Sequence, residues 1–490
     1  MKLGTLFSEL HPIAFAANPE LEITQVSSDS RKVRAGGAFV CLKGLKYDGH
    51  IWIDAALENG ASVIVCQEKP RQDIPYVLLE DTRSALPLLL SRLYDHPEKS
   101  FRHMIAITGT NGKTTTSFMI KAIFEAAGHK TGLIGTTKYL IGDEPYRKAD
   151  SAEAFLITPD PEVLFDLLND MRAANVDTVI MEASSHALYL KKLTGLHFDF
   201  GVFTNLTQDH IDFHKSMEEY LAAKKRLFSI CDVGVFNCDD PHFAAISEGV
   251  PAAVRRFSVK GNPAEYTVRE MLREDEKGVS YRLSSPKGEM RVVVAIPGSF
   301  TVYNSLGAAA VALEAGIDPA AIARGFESLT GVKGRIERIP TDTPYTVFID
   351  FAHTPDALEN ILTTLREFTR GKLWCLFGCG GDRDRGKRPI MGRIAGALSD
   401  MVVVTSDNSR TEEKEDIIRE ILVGLEDCEK PVKVIVDRTE AIHWCLDHAG
   451  EGDVILLAGK GHEEYEIDKT GKHPYSEREI VKRYTGDRKP

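Results

Sequence analysis

Residues 104–128, MIAITGTNGKTTTSFMIKAIFEAAG, decide the fold. The first six, 104–109, are a short apolar run ending in glycine, which predicts a buried strand. The last fifteen predict a helix. Between them lie Gly109, Thr110, Asn111, Gly112, Lys113, Thr114 and Thr115. Glycines there let backbone N–H groups converge on one point, and the helix N-terminus adds its positive dipole. Lys113 can reach phosphate oxygens and the Thr114 hydroxyl can ligate Mg²⁺. The ordinary Walker spacing would place a glycine where this chain has Ile107, so the loop is a variant. A Gly-rich turn with a surface lysine would contain the same residues. Strand, loop, Lys-Thr-Thr and helix in this order point instead to a nucleotide.

Outward from this unit, strands are expected at 176–182, 200–206 and 233–238, with helical stretches between them. That alternation predicts α/β with a mostly parallel sheet. Upstream, 38–44, 62–66 and 76–80 read as strands, and HPEKS at 96–100 as a linker. Downstream, runs at 346–352, 372–379, 401–407, 431–437 and 453–459 read as a second doubly wound sheet, joined through 331–340. A length of 490 residues also predicts roughly three domains. The expected fold is therefore three α/β domains: 1–100, 101–330 as a P-loop-type unit, and a Rossmann-like 331–490.

Composition narrows the class. Apolar residues at 43% and charged ones at 27% exclude a disordered or fibrous chain. Lys plus Arg number 60 against 72 Asp plus Glu, the reverse of a dedicated nucleic-acid binder. A polyanionic ligand must then be held by local positive features. Eight scattered cysteines without a CxxC pair suit reduced thiols. Glu9 and Pro12 interrupt any signal-peptide pattern, and no run approaches the ~20 apolar residues of a membrane span. The expectation is a cytoplasmic protein without nucleic-acid or membrane partners, and a monomer.

Residues that handle the phosphate should stand at the carboxyl ends of the strands. Glu182 ends one strand, and Asp209, His210 and His214 follow another. Each alone fits a hydrogen-bonded loop residue. Together, Glu182 and His210 are placed to meet the phosphate loop and hold a hard cation with Thr114. A guanine-reading Asn-Lys-x-Asp is missing, since Asn205-Leu-Thr-Gln-Asp209 has the wrong spacing and no lysine.

In order, Gly109-Thr-Asn-Gly-Lys-Thr-Thr115, Glu182-x-Ser-Ser-His186 and Thr204-Asn-Leu-x-x-Asp-His-x-Asp-x-His214 resemble the signature series of the Mur ligases. These ATP-dependent amide ligases build the peptide stem of bacterial peptidoglycan. The resemblance runs from Asp29-Ser30-Arg31 to Gly459-Lys460-Gly461-His462-Glu463 and is nearest the branch that adds the third stem residue. It implies that Lys224 in Tyr220-x-x-Ala-Lys224 is carboxylated to a carbamate (N6-carboxylysine) that helps Glu182 and His210 bind Mg²⁺. Residues alone would equally read Lys224 as solvated. The resemblance places Lys113, Lys224, Glu182 and His210 in catalysis, and Asn304, Arg335 and Asp350 at ATP. It places Ser30, Thr158, Ser184 and Lys192 at UDP-N-acetylmuramoyl-L-Ala-D-Glu. This chain departs from the family with Leu156-Ile157 where Asn-Thr is usual, and with Leu190 and Lys192 where Gln and Arg are frequent.

The incoming amino acid is implied to meet Arg383, Asp407, Asn408, Ser409, Arg410, Gly459 and Glu463. Members that add meso-diaminopimelate carry Asp-Asn-Pro-Arg, whereas those adding L-lysine lack the arginine. Asp407-Asn-Ser-Arg410 keeps it, with Ser409 for Pro. An arginine fork pairs the second carboxylate of diaminopimelate and would be left unpaired by lysine. The expected activity is ATP-driven addition of meso-diaminopimelate to the D-Glu carboxylate through an acyl phosphate. Lysine as the added residue, folylpolyglutamate synthetase, and a P-loop switch without ligase chemistry are the alternatives.

Overall fold

A computed structural model describes residues 1–44, 48–71, 73–146, 156–275, 277–329 and 331–486. Thr330, the last residue expected in the central domain, lies outside them. Among the described residues three principal sheets form, each from its own successive segment of the chain. In the first, Gln25–Ser27, Gly37–Val40, Ala61–Cys66 and Tyr76–Leu78 pair in parallel, and Ala14–Ala16 adds antiparallel to the last.

Eleven strands make the central sheet. His103–Thr108 lies at its middle, flanked in parallel by Thr178–Glu182 and Phe198–Phe203. Alternate side chains of this strand serve opposite faces, as the period of two requires. Ile105 and Ile107 pack with Met119, Ile120, Ile123 and Phe124 of the helix Lys113–Ala126. Met104 and Ala106 join the core of the helix Pro161–Ala173. That second core continues without a break into Leu86, Leu89 and Leu90 of the helix Thr82–Leu93 and on to Val63 and Val65 in the first sheet.

The central sheet is less purely parallel than the sequence suggests. Tyr266–Asp275, Gly278–Ser285 and Gly288–Val294 extend one edge as an antiparallel meander. Its turns are set by Gly278 (φ +117°) and Gly288 (φ +105°), positions where a β-carbon would be strained. HPEKS is also not a free linker. Pro97–Ser100 form a 3₁₀ turn, and the buried Glu98 Oε1 accepts from Ser91 Oγ at 2.8 Å.

In the third sheet Thr346–Asp350, Val454–Ala458, Leu373–Phe377, Met401–Val404 and Val432–Val434 run parallel in that spatial order. The expected joint contributes an edge strand, Glu337–Ile339, antiparallel to Thr346–Asp350. Helices cover both faces with separate cores, Leu358, Met391 and Ile417 on one side and Ile442, Cys445 and Val481 on the other. Several expected strands stop early, at Phe203, Val404 and Val434, and their polar tails turn out at the carboxyl edge. Those tails carry the chemistry.

Candidate active site

The phosphate loop leaves the central strand through Gly109 (φ +151°) and Gly112 (φ +84°). A β-carbon on the first would overlap Thr204 Oγ1, and one on the second Asn304 Oδ1. Glycine is required twice, by conformation and by space. The loop is held from behind. Thr110 N donates to Asn205 O at 2.9 Å, and Asn111 N to Asn205 Oδ1 at 2.9 Å. Lys113 Nζ folds back onto the carbonyls of Gly109 and Thr110, 2.8 Å from each. Lys224 Nζ reaches the same Gly109 carbonyl at 2.7 Å, from the helix Met217–Lys225. Two ammonium groups thus converge on one oxygen. Lys224 is buried, and burial followed by the Lys113 charge drives its amine well below the usual lysine range.

Glu182 is buried at the end of its strand and accepts from Thr136 N at 3.0 Å and Thr136 Oγ1 at 2.7 Å. The Thr114 hydroxyl donates to Glu182 Oε2 at 3.1 Å and accepts from Arg335 Nη2 at 3.2 Å. Thr114 and Glu182 therefore meet, as expected from the sequence. His210 instead faces Asp209, with Nε2 3.3 Å from Oδ2. Burial pushes the Asp209 carboxyl up, but His210, Lys387 and His353 outweigh it and hold the group well below its ordinary range. Burial likewise holds the His210 imidazole down to about 3. His214 is no candidate ligand, because it is fully buried with Nε2 2.9 Å from Ser185 Oγ. Among the described residues no three His, Cys, Asp or Glu side chains are grouped closely enough to hold a metal. A cation here must draw on the Thr114 hydroxyl, on Glu182, and on oxygen atoms that Lys224 lacks as an amine.

A cavity of about 560 Å³ opens between the central and third sheets. Asn111, Gly112, Thr114, Thr115, Asn304, Arg335 and Asp350, all expected at ATP, line it together. Arg335 lies 4.8 Å over the Phe351 ring, and its guanidinium is pushed down by burial. Asp350 Oδ2 accepts from Ile336 N at 2.7 Å, and burial raises its carboxyl against the pull of Arg335. Sequence reasoning missed Asp239, Asp240 and Asp356 in the same wall. The first two follow the strand Cys231–Asn237 and were open to the rule that found Glu182. Asp356, whose Oδ2 accepts from Asn111 Nδ2 at 2.6 Å, had no such signal.

A second cavity, about 930 Å³, separates the first sheet from the central one. Ser28, Asp29, Arg31, Leu156, Leu190 and Lys192 line it. Of the four residues expected at the sugar nucleotide, only Lys192 is among these, ion-paired to Asp160 at 2.7 Å. Ser30 sits behind the wall, its carbonyl accepting from Asn59 Nδ2 at 3.0 Å. Thr158 Oγ1 donates to the Glu182 carbonyl at 2.7 Å and accepts from Ser184 N at 3.0 Å, so both stand beside the strand end that carries Glu182.

At the carboxyl edge of the third sheet, Asn408 Nδ2 donates to Glu463 Oε2 at 2.7 Å. Asp407 is buried, and a β-carbon on Gly459 (φ +116°) would press on its Oδ2. Arg410 Nη1 donates to the carbonyls of Gly381 at 2.8 Å and Asn408 at 3.3 Å. Arg383, exposed, donates to Asp382 O at 2.9 Å. Neither arginine forms an ion pair among the described residues, and Arg410, half-buried, is held down by burial and by Arg383. Ser409 is buried.

Three family models match this chain in sequence: Mur ligase family, catalytic domain (22–89), Mur ligase middle domain (107–312), and Mur ligase, glutamate ligase domain (334–461). The chain belongs to the Mur ligase family. It is 41% identical over 490 residues to a protein of Syntrophomonas wolfei named UDP-N-acetylmuramoyl-L-alanyl-D-glutamate--2,6-diaminopimelate ligase, covering 98% of each. A Bacillus licheniformis protein of the same name is 41% identical over 498 residues, covering 99% of each. A solved structure titled as that ligase superposes with a TM-score of 0.70 at 31% identity, covering 99% of both chains. The Mur ligase phosphate loop, the strand-end acids and the unpaired arginines of this chain thus occur within a match that spans its whole length.

Proposed function

We propose that this chain is the ATP-dependent ligase that joins meso-2,6-diaminopimelate to the D-Glu carboxylate of UDP-N-acetylmuramoyl-L-Ala-D-Glu, in cytoplasmic assembly of peptidoglycan precursors. The observation that carries the reading is the 560 Å³ cavity, where the phosphate loop meets Arg335 and Asp350 from the third sheet. Relatives matched end to end bear the corresponding name. Residues 1–100 would hold the uridine nucleotide, 101–330 ATP and the acceptor carboxylate, and 331–490 the amino acid. One chain supplies all of these groups, so a monomer suffices.

A carboxylate is a poor electrophile, so the γ-phosphoryl of ATP is transferred to the D-Glu carboxylate, releasing ADP. The diaminopimelate amine attacks the acyl phosphate, and phosphate leaves as the amide forms. The protein contributes positioning and charge neutralisation. Lys113, now folded onto two carbonyls, turns to the phosphate oxygens when ATP replaces them. Arg335 places a cation beside Thr114 at the same end of the cavity. Asn304 lies against Gly112 and faces the nucleotide.

Burial and the neighbouring Lys113 charge favour loss of the Lys224 proton, and the deprotonated amine is a nucleophile for CO₂. Its nitrogen bonds to carbon, one proton is lost, and a carbamate results. That exchange replaces a cation next to Lys113 with oxygen donors. Thr114, Glu182, His210 and the Lys224 carbamate fit Mg²⁺, a hard ion that favours oxygen. Bound there, the ion would offset charge on the transferring phosphoryl group.

Arg410 and Arg383, without an acidic partner, suit the second carboxylate of diaminopimelate, and Asp407 and Glu463 suit its ammonium groups. Lysine would leave the guanidinium pair uncompensated. The N-terminal sheet and Arg410 also speak against folylpolyglutamate synthetase. Purified protein given UDP-N-acetylmuramoyl-L-Ala-D-Glu, ATP and either diaminopimelate or lysine tests the reading. A product mass higher by one diaminopimelate residue is expected. Addition of lysine alone, or ATP hydrolysis indifferent to both co-substrates, would refute it.

A further inference from the structure

Lys460 is fully buried at the carboxyl edge of the third sheet, between Gly459 and Gly461. Its Nζ donates to Asn408 Oδ1 at 3.1 Å and to the Tyr465 carbonyl at 3.0 Å, and stands 3.8 Å from both Asp407 Oδ1 and Glu463 Oε2. The Tyr475 ring closes over it at 5.3 Å. Asn408 Oδ1 also accepts from Ile467 N at 2.9 Å. Two donors on that oxygen fix which way the amide points, so Nδ2 is obliged to face Glu463. One buried cation therefore orients an amide and sits between two carboxylates.

Charge makes the arrangement directional. Burial pushes Asp407 up, but Lys460 and then Arg438 overcome it and keep the carboxyl below its ordinary range. Glu463 is raised, by burial and by Asp407. Arg438 beneath is already satisfied, donating to Glu477 Oε1 at 2.8 Å and to the carbonyls of Ser406 and Ala458. Among the described residues Lys460 thus stands 3.8 Å from each acid, so two carboxyl groups share one ammonium.

We propose that Lys460 is a positioning residue for amino-acid recognition: it sets Asn408, Asp407 and Glu463 in one arrangement, without touching the amino acid itself. This rests on the function proposed above. Removing the ammonium leaves Ile467 N as the one remaining donor to Asn408 Oδ1 among the described residues, and leaves two buried carboxyl groups without the cation between them, which favours protonation of one. The loss falls on the incoming amino acid and spares ATP and the sugar nucleotide, whose cavities lie elsewhere.

Lys460→Met and Lys460→Gln in the full chain test this through the KM of each substrate, with sugar-nucleotide binding measured separately by calorimetry as the check on folding. Lys460→Met is expected to raise the diaminopimelate KM at least tenfold and leave the other two within twofold. Lys460→Gln, which keeps a donor for Asn408 but not the charge, should fall between Met and wild type. Should the Met variant not bind the sugar nucleotide, the Gln variant carries the test. A diaminopimelate KM within twofold of wild type in both variants, a parallel rise in all three KM values, or failure of both to fold would overturn the proposal. Wild-type protein that does not use diaminopimelate at all would instead overturn the proposed function.

Discussion

Lys224 shows how burial assigns a role that its residue type does not. A lysine beside Lys225 and Arg226 reads in sequence as a solvated charge, yet this one is enclosed against Gly109 and Tyr220, with Nζ 4.4 Å from the ring centroid. Lys224→Ala is expected to lower turnover by at least 100-fold, with partial recovery when a small carboxylate is added to the assay. Full activity without the additive would remove the carbamate from the mechanism. Arg410 is the complementary case, a cation whose hydrogen-bond partners among the described residues are carbonyls. Arg410→Ala should raise the KM for diaminopimelate at least tenfold, or about 1.4 kcal/mol, which is modest for a charge-assisted hydrogen bond. The KM for ATP should stay within twofold. Residues carried by short motifs were legible, as with Lys113 and Glu182. His214, in the same motif as His210, packs instead with Nε2 2.9 Å from Ser185 Oγ. Ser30 lies outside the cavity lining while its neighbours Asp29 and Arg31 belong to it.

Among the elements, the strand–loop–helix unit at the centre of the large sheet was read nearly to the residue. An apolar run, two glycines and a lysine leave few alternatives. Gly112→Ala should weaken ATP binding at least tenfold in calorimetry, since the new methyl is forced against Asn304 in a conformation that disfavours it. The antiparallel meander at 266–294 was not anticipated. Its first strand alternates weakly, with exposed Met271 and Leu272 where a half-buried strand would show a cleaner pattern. Strand ends were overrun at Phe203 and Val404 because Thr, Asn and Ser continue an apolar run without a Gly or Pro to mark the edge.

At the scale of the molecule, the cavity between the central and third sheets is made by residues far apart in the chain. Asn111 and Asp356 bond across 245 positions, and no local pattern announces such a pair. Two histidines of the third domain lie near this junction: His353, held down to about 4, and His462, held down to about 3, both mainly by burial. Their folded values lie below the unfolded value of about 6.5, so unfolding takes up protons and stability falls as pH drops below that point. The thermal midpoint should therefore be lower at pH 5.5 than at pH 7.5, and replacing both by glutamine should reduce the difference. An equal difference in that double variant would contradict the assignment. The unbroken apolar seam from the first sheet, through the helix Thr82–Leu93, into the lower face of the central sheet has its own consequence. A protein cut after residue 100 would expose two greasy surfaces and clump on release from the ribosome. A fragment beginning at 334 carries both halves of its interior with it and should stay monodisperse. Evolution can thus exchange the third module between relatives far more readily than the first.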